Sequence, residues 1–245
     1  REFCDKHDLI LFEDNCESLG AELNGKMCGT FGDFGTFSFF FSHHIATMEG
    51  GMLITNDEEF FHIAKSMRAH GWTRDIPEST GIYDKSQDDF FEAYRFIFPG
   101  YNVRPLEMSG AVGLVQLKKV DEMIRLRRKN AEVFKGLFAG DDRFITQQEV
   151  GTSSWFSFVV ILNPEKNMDR QRILTGLRDA GVEFRIVTGG NFLRHDVIKF
   201  FDYECVGNIK NADFIHDNGF FVGNFPRDLS SELNYFHKTL TGLVE

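Results

Sequence analysis

The feature that most constrains this chain is a hydrophobic period that switches between strand and helix and back again. Short apolar runs at residues 9–12, 35–40 and 51–54 have strand length, and residues 57–69 then carry the spacing of an amphipathic helix. Strands interleaved with helices cannot bury their faces as a bundle or a pure sandwich, so the expected class is α/β layers. From Pro105 the period is helical. Met108, Ala111, Val112 and Val115 fall at i, i+3, i+4 and i+7 and predict one buried face, with the pattern continuing, with room for a kink, to Phe138. Beyond Gly140 a second alternation predicts strands at 155–162, 182–187 and 219–222 and helices at 169–180 and from Ser230. Two domains follow, 1–118 and a smaller α/β domain at 119–245. Residues 71–100, punctuated by Pro77, Gly81 and Pro99, read as a long functional loop.

A net charge of -10 excludes a general nucleic-acid binder, because phosphate contacts need clustered Lys and Arg. An anionic substrate must then be met by locally placed cations. The densest basic run, residues 118–129 with Arg125, Arg127 and Arg128, is interleaved with Asp121 and Glu122 and predicts a solvated helix face. Cys4, Cys16, Cys28 and Cys205 form no CxxC pair, so reduced thiols and no metal site are expected. No apolar run reaches the roughly 18 residues that span a bilayer, and no charged leader opens the chain, so a cytoplasmic protein without a membrane anchor is expected. Arg1 to Cys4 reads like the tail of a helix running into the first strand, which implies an N-terminally incomplete chain.

Two stretches carry chemistry. Phe12-Glu13-Asp14-Asn15 places an acid at the end of an apolar strand, where open α/β sheets put ligands; a helix N-cap is the plainer reading of the same acid. Farther on stands Phe37-Ser38-Phe39-Phe40-Phe41-Ser42-His43-His44-Ile45-Ala46-Thr47-Met48-Glu49-Gly50-Gly51. Here a hydroxyl that can donate to a phosphate precedes two histidines and a glycine turn able to take positive φ. Neighbouring residues in an extended segment face opposite ways, so His43 and His44 are poorly placed to share one metal ion.

Strand-end acid, Phe-Ser-Phe and Glu-Gly-Gly, in that order, resemble the DegT/DnrJ/StrS-type sugar aminotransferases, a family built on the aspartate-aminotransferase fold (fold type I, pyridoxal-phosphate-dependent). Gly100-Tyr101-Asn102 and the helix after it resemble a further motif of that family. The resemblance spans essentially the whole chain. It implies cofactor contacts from Asp14, Glu17, Ser38 and Asn102, with Asn102 reaching the phosphate held by the neighbouring subunit of a homodimer. It makes residues 1–118 the C-terminal part of the cofactor-binding domain.

The family's lysine position is occupied here by His43. Lysine both bonds the cofactor and moves protons, whereas an imidazole does only the second. Together with Ala69-His70-Gly71-Trp72-Thr73-Arg74-Asp75, this resembles the sugar 3-dehydratases of the family. The implied reaction removes the C3 hydroxyl of a nucleotide-linked 4-keto-6-deoxy sugar, with GDP as the nucleotide. The implied cofactor is pyridoxal or pyridoxamine phosphate held non-covalently, with glutamate as amino donor. A related iron-sulfur type needs closely spaced cysteines after the histidine, and none occurs between His43 and Cys205. His70, Arg74, Glu183 and Arg185 are the expected substrate-side residues, arginine being suited to a diphosphate. The competing readings are an aminotransferase using Lys26, which precedes the Phe-Ser-Phe motif, and a non-catalytic binding homologue.

Overall fold

A parallel strand pair organises the N-terminal half. In the computed structural model, which describes residues 1–244, α1 (Glu2–His7) leads into β1 (Phe12–Asp14). A small hairpin follows, β2 (Glu22–Leu23) and β3 (Lys26–Met27), turned by Asn24 and Gly25 at φ 53° and 76°. Two positive φ values are what a two-residue hairpin turn demands, and Asn-Gly supplies them. β4 (Phe34–Ser38) pairs in parallel with β1 and antiparallel with β5 (Gly51–Ile54), giving the order β1-β4-β5. α2 (Glu58–Met67) is capped by Asp57, whose carboxylate accepts from Phe60 N at 2.8 Å.

Residues 71–100 are largely irregular, as expected, but they are tied down. The short α3 (Asp89–Glu92) is capped by Asp88, and bridges join Trp72 to Phe96 and Ser79 to Asp84. The loop begins at a reversal that needs glycine: Gly71 has φ 83°, and a Cβ there would lie 1.7 Å from Phe98 O.

The long helical pattern resolves into α4 (Glu107–Leu117) and α5 (Val120–Phe138). The expected buried face of α4 is corrected. Met108, Ala111, Val112 and Val115 are exposed, as are Leu114 and Leu117. The helix is apolar nearly all round, so its pattern could not tell a face covered from within this chain from one that meets something else.

The chain divides into two compact units, the first Arg1–Asp121 and the second beginning at Glu122. The second unit is an antiparallel sheet of β6 (Phe144–Thr146), β7 (Ser157–Leu162) and β8 (Gly219–Gly223), with α6 (Arg170–Asp179), α7 (Lys210–Asn218) and α8 (Ser230–Leu243). Phe158, Val160 and Leu162 alternate inward along β7 and meet Phe134 and Phe138 of α5, Leu177 of α6, Phe220 of β8 and Leu240 of α8 in one core.

Two further expectations are corrected here. Residues 182–187 are not a strand. Only Arg185 pairs, with Phe221, and the backbone then turns through a 3-10 segment, Val187–Gly189, in which Thr188 has φ 47°. The basic run is not wholly a solvated face either, since Arg127 is buried. Its guanidinium donates to Phe156 O and Asn224 O, and burial without a carboxylate lowers its pKa to about 10. Asn130 and Asn224 complete this network. Asn130 Nδ2 donates to Asn224 Oδ1 at 3.0 Å and Arg227 O at 2.7 Å, and Asn224 Nδ2 donates to Trp155 O at 2.8 Å. Among the described residues no helix is long and apolar enough to cross a membrane.

Candidate active site

Side chains alternate across β1 and β4, so the register Glu13↔Gly35 and Asp14↔Thr36 sorts the strand ends into two faces. On one face the Glu13 carboxylate accepts three backbone N–H groups, from Gly29 at 2.8 Å and from Phe31 and Gly32 at 2.6 Å each. The glycine loop it clamps lies directly on β4: a Cβ on Gly35 would sit 2.2 Å from Gly29 O. Glu13 was not singled out in the sequence. Its only signal is a second acid beside Asp14, followed at a distance by Cys28-Gly29-Thr30-Phe31-Gly32, a segment with many backbone donors and few side-chain acceptors.

The other face carries Asp14, Thr36 and Ser38. Asp14 Oδ1 accepts from Cys16 N at 3.1 Å, and its carboxyl is held below the usual carboxylate range by the Cys16 thiol, the Cys16 N–H, the Thr36 hydroxyl and the nearby charge of His43. Asp14 is exposed and is not a helix N-cap, since a turn follows it. Ser38 ends β4, and its Oγ accepts from Phe40 N at 3.2 Å, so its own O–H is the donor available to a phosphate.

From Ser38 the chain leaves the sheet in a tight loop that returns at Gly51. Phe39 N donates to Gly50 O at 3.0 Å and Thr47 N donates to Phe39 O at 2.9 Å, closing the loop at its base. Met48 and Gly50 take positive φ, 74° and 136°, which is the conformational role expected of the glycine turn. His43 is half-buried at the loop's tip, its N–H donating to Phe40 O at 3.0 Å and its ring edge-on to Phe40 at 6.0 Å. His44 is buried, 3% exposed, so the two histidines differ in environment, although the segment that carries them is a turn rather than the extended stretch expected. Asp14, Ser38 and His43 are thus gathered at one end of the sheet.

The remaining residues are more dispersed. Glu17 is exposed in the turn after β1, where its charge acts on Cys16. His70 and Asn102 are exposed near each other, because His70 N donates to Tyr101 O at 3.0 Å and Ala69 bridges Asn102. Arg104 Nε donates to Asn102 Oδ1 at 3.0 Å. Arg74 lies over the Trp72 ring at 4.8 Å, and Trp72 is stacked on Tyr94. Glu183 and Arg185 belong to the second unit, where both are exposed and line an open depression with Arg178 and Phe184. Lys26 lies on the β2–β3 hairpin with its ammonium 4.7 Å from the Phe31 ring.

Comparison with known proteins places the chain as a whole among related sequences and folds. The GDP-4-keto-6-deoxy-D-mannose 3-dehydratase of Yersinia pseudotuberculosis is 53% identical over 92% of this chain and 58% of its own length. A solved GDP-4-keto-6-deoxymannose-3-dehydratase mutant with bound GDP-perosamine superposes with a TM-score of 0.93 at 48% identity, covering 98% of this chain and 62% of that one. A structure of the same kind of enzyme with a trapped PLP-glutamate geminal diamine gives a TM-score of 0.94 at 48% identity, with the same shares covered. The chain therefore spans about three fifths of the length of these relatives, and it shares their α/β aminotransferase fold. With residues 1–232 matching the family as a whole, the chain belongs to the DegT/DnrJ/EryC1/StrS aminotransferase family.

Proposed function

We propose that the protein is a pyridoxal-phosphate-dependent 3-dehydratase of a nucleotide-linked 4-keto-6-deoxy sugar, GDP-4-keto-6-deoxy-D-mannose by likeness to its relatives, with glutamate as amino donor. The observation that carries this reading is His43. It stands on the loop after Phe37-Ser38-Phe39, close enough to Asp14 for their charges to interact, where the aminotransferase pattern has lysine.

The residues present fit the cofactor. Asp14 is an anion fixed at a strand end, suited to keeping a pyridine nitrogen protonated, and Ser38 offers a donor to a phosphate on the neighbouring strand. Asn102 and Glu17 are assigned as further contacts. When bound, pyridoxal phosphate, in its amine form for reaction with the sugar ketone, supplies the electron sink. His43 cannot bond it covalently, so retention rests on Asp14, Ser38 and the phosphate contacts. The imidazole then takes a proton from carbon as base. As imidazolium it gives that proton to the hydroxyl leaving sugar C3. Arg74, Arg185, His70 and Glu183 are assigned to the sugar nucleotide, and residues 1–118 and 119–245 to the cofactor-binding part and the small domain.

A homodimer with shared sites completes the proposal. It is supported by exposed Asn102 and by the exposed apolar surface of Leu106 and of α4 after it, with Met108 and Leu114. The test is incubation with pyridoxal phosphate, glutamate and a panel of 4-keto nucleotide sugars, with products identified by mass. A 3-deoxy-4-keto sugar with release of ammonia is expected. A 4-amino sugar as the sole product establishes a transaminase instead, and no turnover of any sugar despite cofactor binding establishes a binding homologue.

A further inference from the structure

His43 has to meet the cofactor without a covalent bond to it, so its place relative to Ser38 is set by the loop that joins β4 to β5. Both closures of that loop run through Phe39, the residue after Ser38. Phe39 N donates to Gly50 O at 3.0 Å, and Phe39 O accepts from Thr47 N at 2.9 Å. Thr47 also holds the returning chain through its side chain. Its hydroxyl donates to Glu49 O at 2.8 Å, spanning Met48, whose φ of 74° is uncommon for a residue with a side chain. Gly50, at φ 136°, lies against the same hydroxyl: a Cβ there would be 3.0 Å from Thr47 Oγ1. The hydroxyl therefore fixes the turn that brings Gly50 O to Phe39.

The Thr47 methyl meets a different element. A Cβ on Gly113 of α4 would lie 3.3 Å from Thr47 Cγ2, so the missing side chain is what lets the helix close on the loop. Gly113 shares the less exposed stripe of α4 with Ser109 and Gln116, at i−4 and i+3. Thr47 is 3% exposed, and His44 and Ile45 are buried with it, whereas Phe41, Ser42 and residues 48–50 are exposed. The loop is thus anchored on the side that follows His43.

We propose that Thr47 is a positioning residue for His43: its hydroxyl holds the return of the loop, its methyl seats that return on α4, and together they set where the imidazole stands relative to Ser38. The proposal rests on the role in proton transfer given to His43 above. A lysine bonded to the cofactor is placed by that bond, whereas a histidine relies on its backbone. A displacement of about 1 Å at a reacting group costs on the order of 100-fold in rate.

The test compares Thr47→Val, which removes the hydroxyl and keeps the methyl contact, with Thr47→Ser, which keeps the hydroxyl. The His43 ring stands edge-on to Phe40 at 6.0 Å, so its NMR shifts report its place. His43→Asn identifies those resonances in the protein with and without pyridoxal phosphate. They are expected to move in Thr47→Val and to return toward wild type in Thr47→Ser. Dehydration should fall in kcat by about tenfold in Thr47→Val, with sugar KM and pyridoxal phosphate affinity within about twofold of wild type, as for a misplaced base rather than a lost binding group. Asp57→Ala, which uncaps α2 beyond the far end of β5, weakens the same unit and should leave kcat and the His43 resonances at wild-type values. Gly113→Ala presses a methyl on Thr47 Cγ2 from a helix that alanine favours, so it should move the resonances without loss of stability. His43 resonances at wild-type positions in both Thr47→Val and Gly113→Ala, or moved as far by Asp57→Ala, overturn the proposal. If they move as expected but the wild-type protein dehydrates no 4-keto nucleotide sugar, the dehydratase reading is what fails.

Discussion

Removing the Glu13 carboxylate tests whether the end of the sheet that carries Asp14 is held in place by a single side chain. In Glu13→Ala three backbone N–H groups, those of Gly29, Phe31 and Gly32, lose acceptors now at 2.6 to 2.8 Å. A hydrogen bond to a charged group contributes about 1.5–3 kcal/mol, and the three share one partly exposed carboxylate, so water recovers part of the loss. The expected destabilisation is about 3–5 kcal/mol, at the upper end of what one substitution does without opening a core cavity. Urea unfolding of the first unit can be followed through Trp72 in a Trp155→Phe background, because the protein has 2 tryptophans. Hydrogen exchange at the Gly29, Phe31 and Gly32 amides gives the local counterpart. Gly35→Ala supplies an internal control: its Cβ would meet Gly29 O at 2.2 Å and displace the same loop from β4. If Glu13 acts by holding that loop, the double variant loses less than the sum of the two singles. A loss below about 1 kcal/mol in Glu13→Ala, or full additivity with Gly35→Ala, refutes the clamp.

Three other predictions concern different parts of the molecule. His43→Asn is expected to retain non-covalent pyridoxal phosphate while dehydration falls by about 100-fold or more, and His43→Lys is expected to yield a cofactor linkage that borohydride reduces; a wild-type rate in His43→Asn, measured by product mass, removes the histidine from proton transfer. Asn224→Ala leaves Trp155 O, Arg127 O and one Asn130 Nδ2 contact without their partner, so calorimetry should show a loss of about 2–4 kcal/mol confined to the second unit. Asp33 is held below the usual carboxylate range by the Leu11 N–H and Arg1. A depressed folded-state pKa lends stability that is complete above the ordinary carboxylate range and is lost as pH falls through the lowered value. Asp33→Asn should therefore be less stable than wild type at neutral pH and converge with it in strong acid, and parallel stability curves for the two proteins would show that Asp33 contributes nothing through its charge.

How much of the fold was legible depended on whether a segment's partners lay nearby in the chain. β7 was readable because Phe158, Val160 and Leu162 alternate with more accessible neighbours and all three find their core within the second unit. Residues 182–187 have the same apolar, β-branched character, yet only Arg185 pairs. The positive φ of Gly181 and of Thr188, Gly189 and Gly190 bends the backbone away on both sides. β6 and the β2–β3 hairpin were passed over for the opposite reason: strands of three and two residues are too short to show a period. In α4 the pattern was real and the inference of burial was not. Hydrophobic spacing reports that a face seeks cover, not which surface supplies it, and the exposed Met108 and Val115 are where those two meanings part.

The site divides along similar lines. The grouping of Asp14, Ser38 and His43 at one end of the sheet was legible because each sits at a strand end or on the loop joining two strands, so chain order alone fixed their company. Their supports were not, because support here is a matter of register and backbone geometry. Glu13 and Asp14 are neighbours of the same chemical type, and nothing local says which clamps the glycine loop and which lies on the opposite face. Pairing of Glu13 with Gly35 and of Asp14 with Thr36 decides it. The same pairing gives Thr36 a place opposite Asp14 that its neighbours in sequence, Gly35 and Phe37, cannot take, since their side-chain positions point to the Glu13 face. The second face of the sheet therefore bears on the first: the Glu13 clamp holds the loop against the strand beside the one on which Asp14 ends, and the β4 register sets which residue stands opposite that carboxylate.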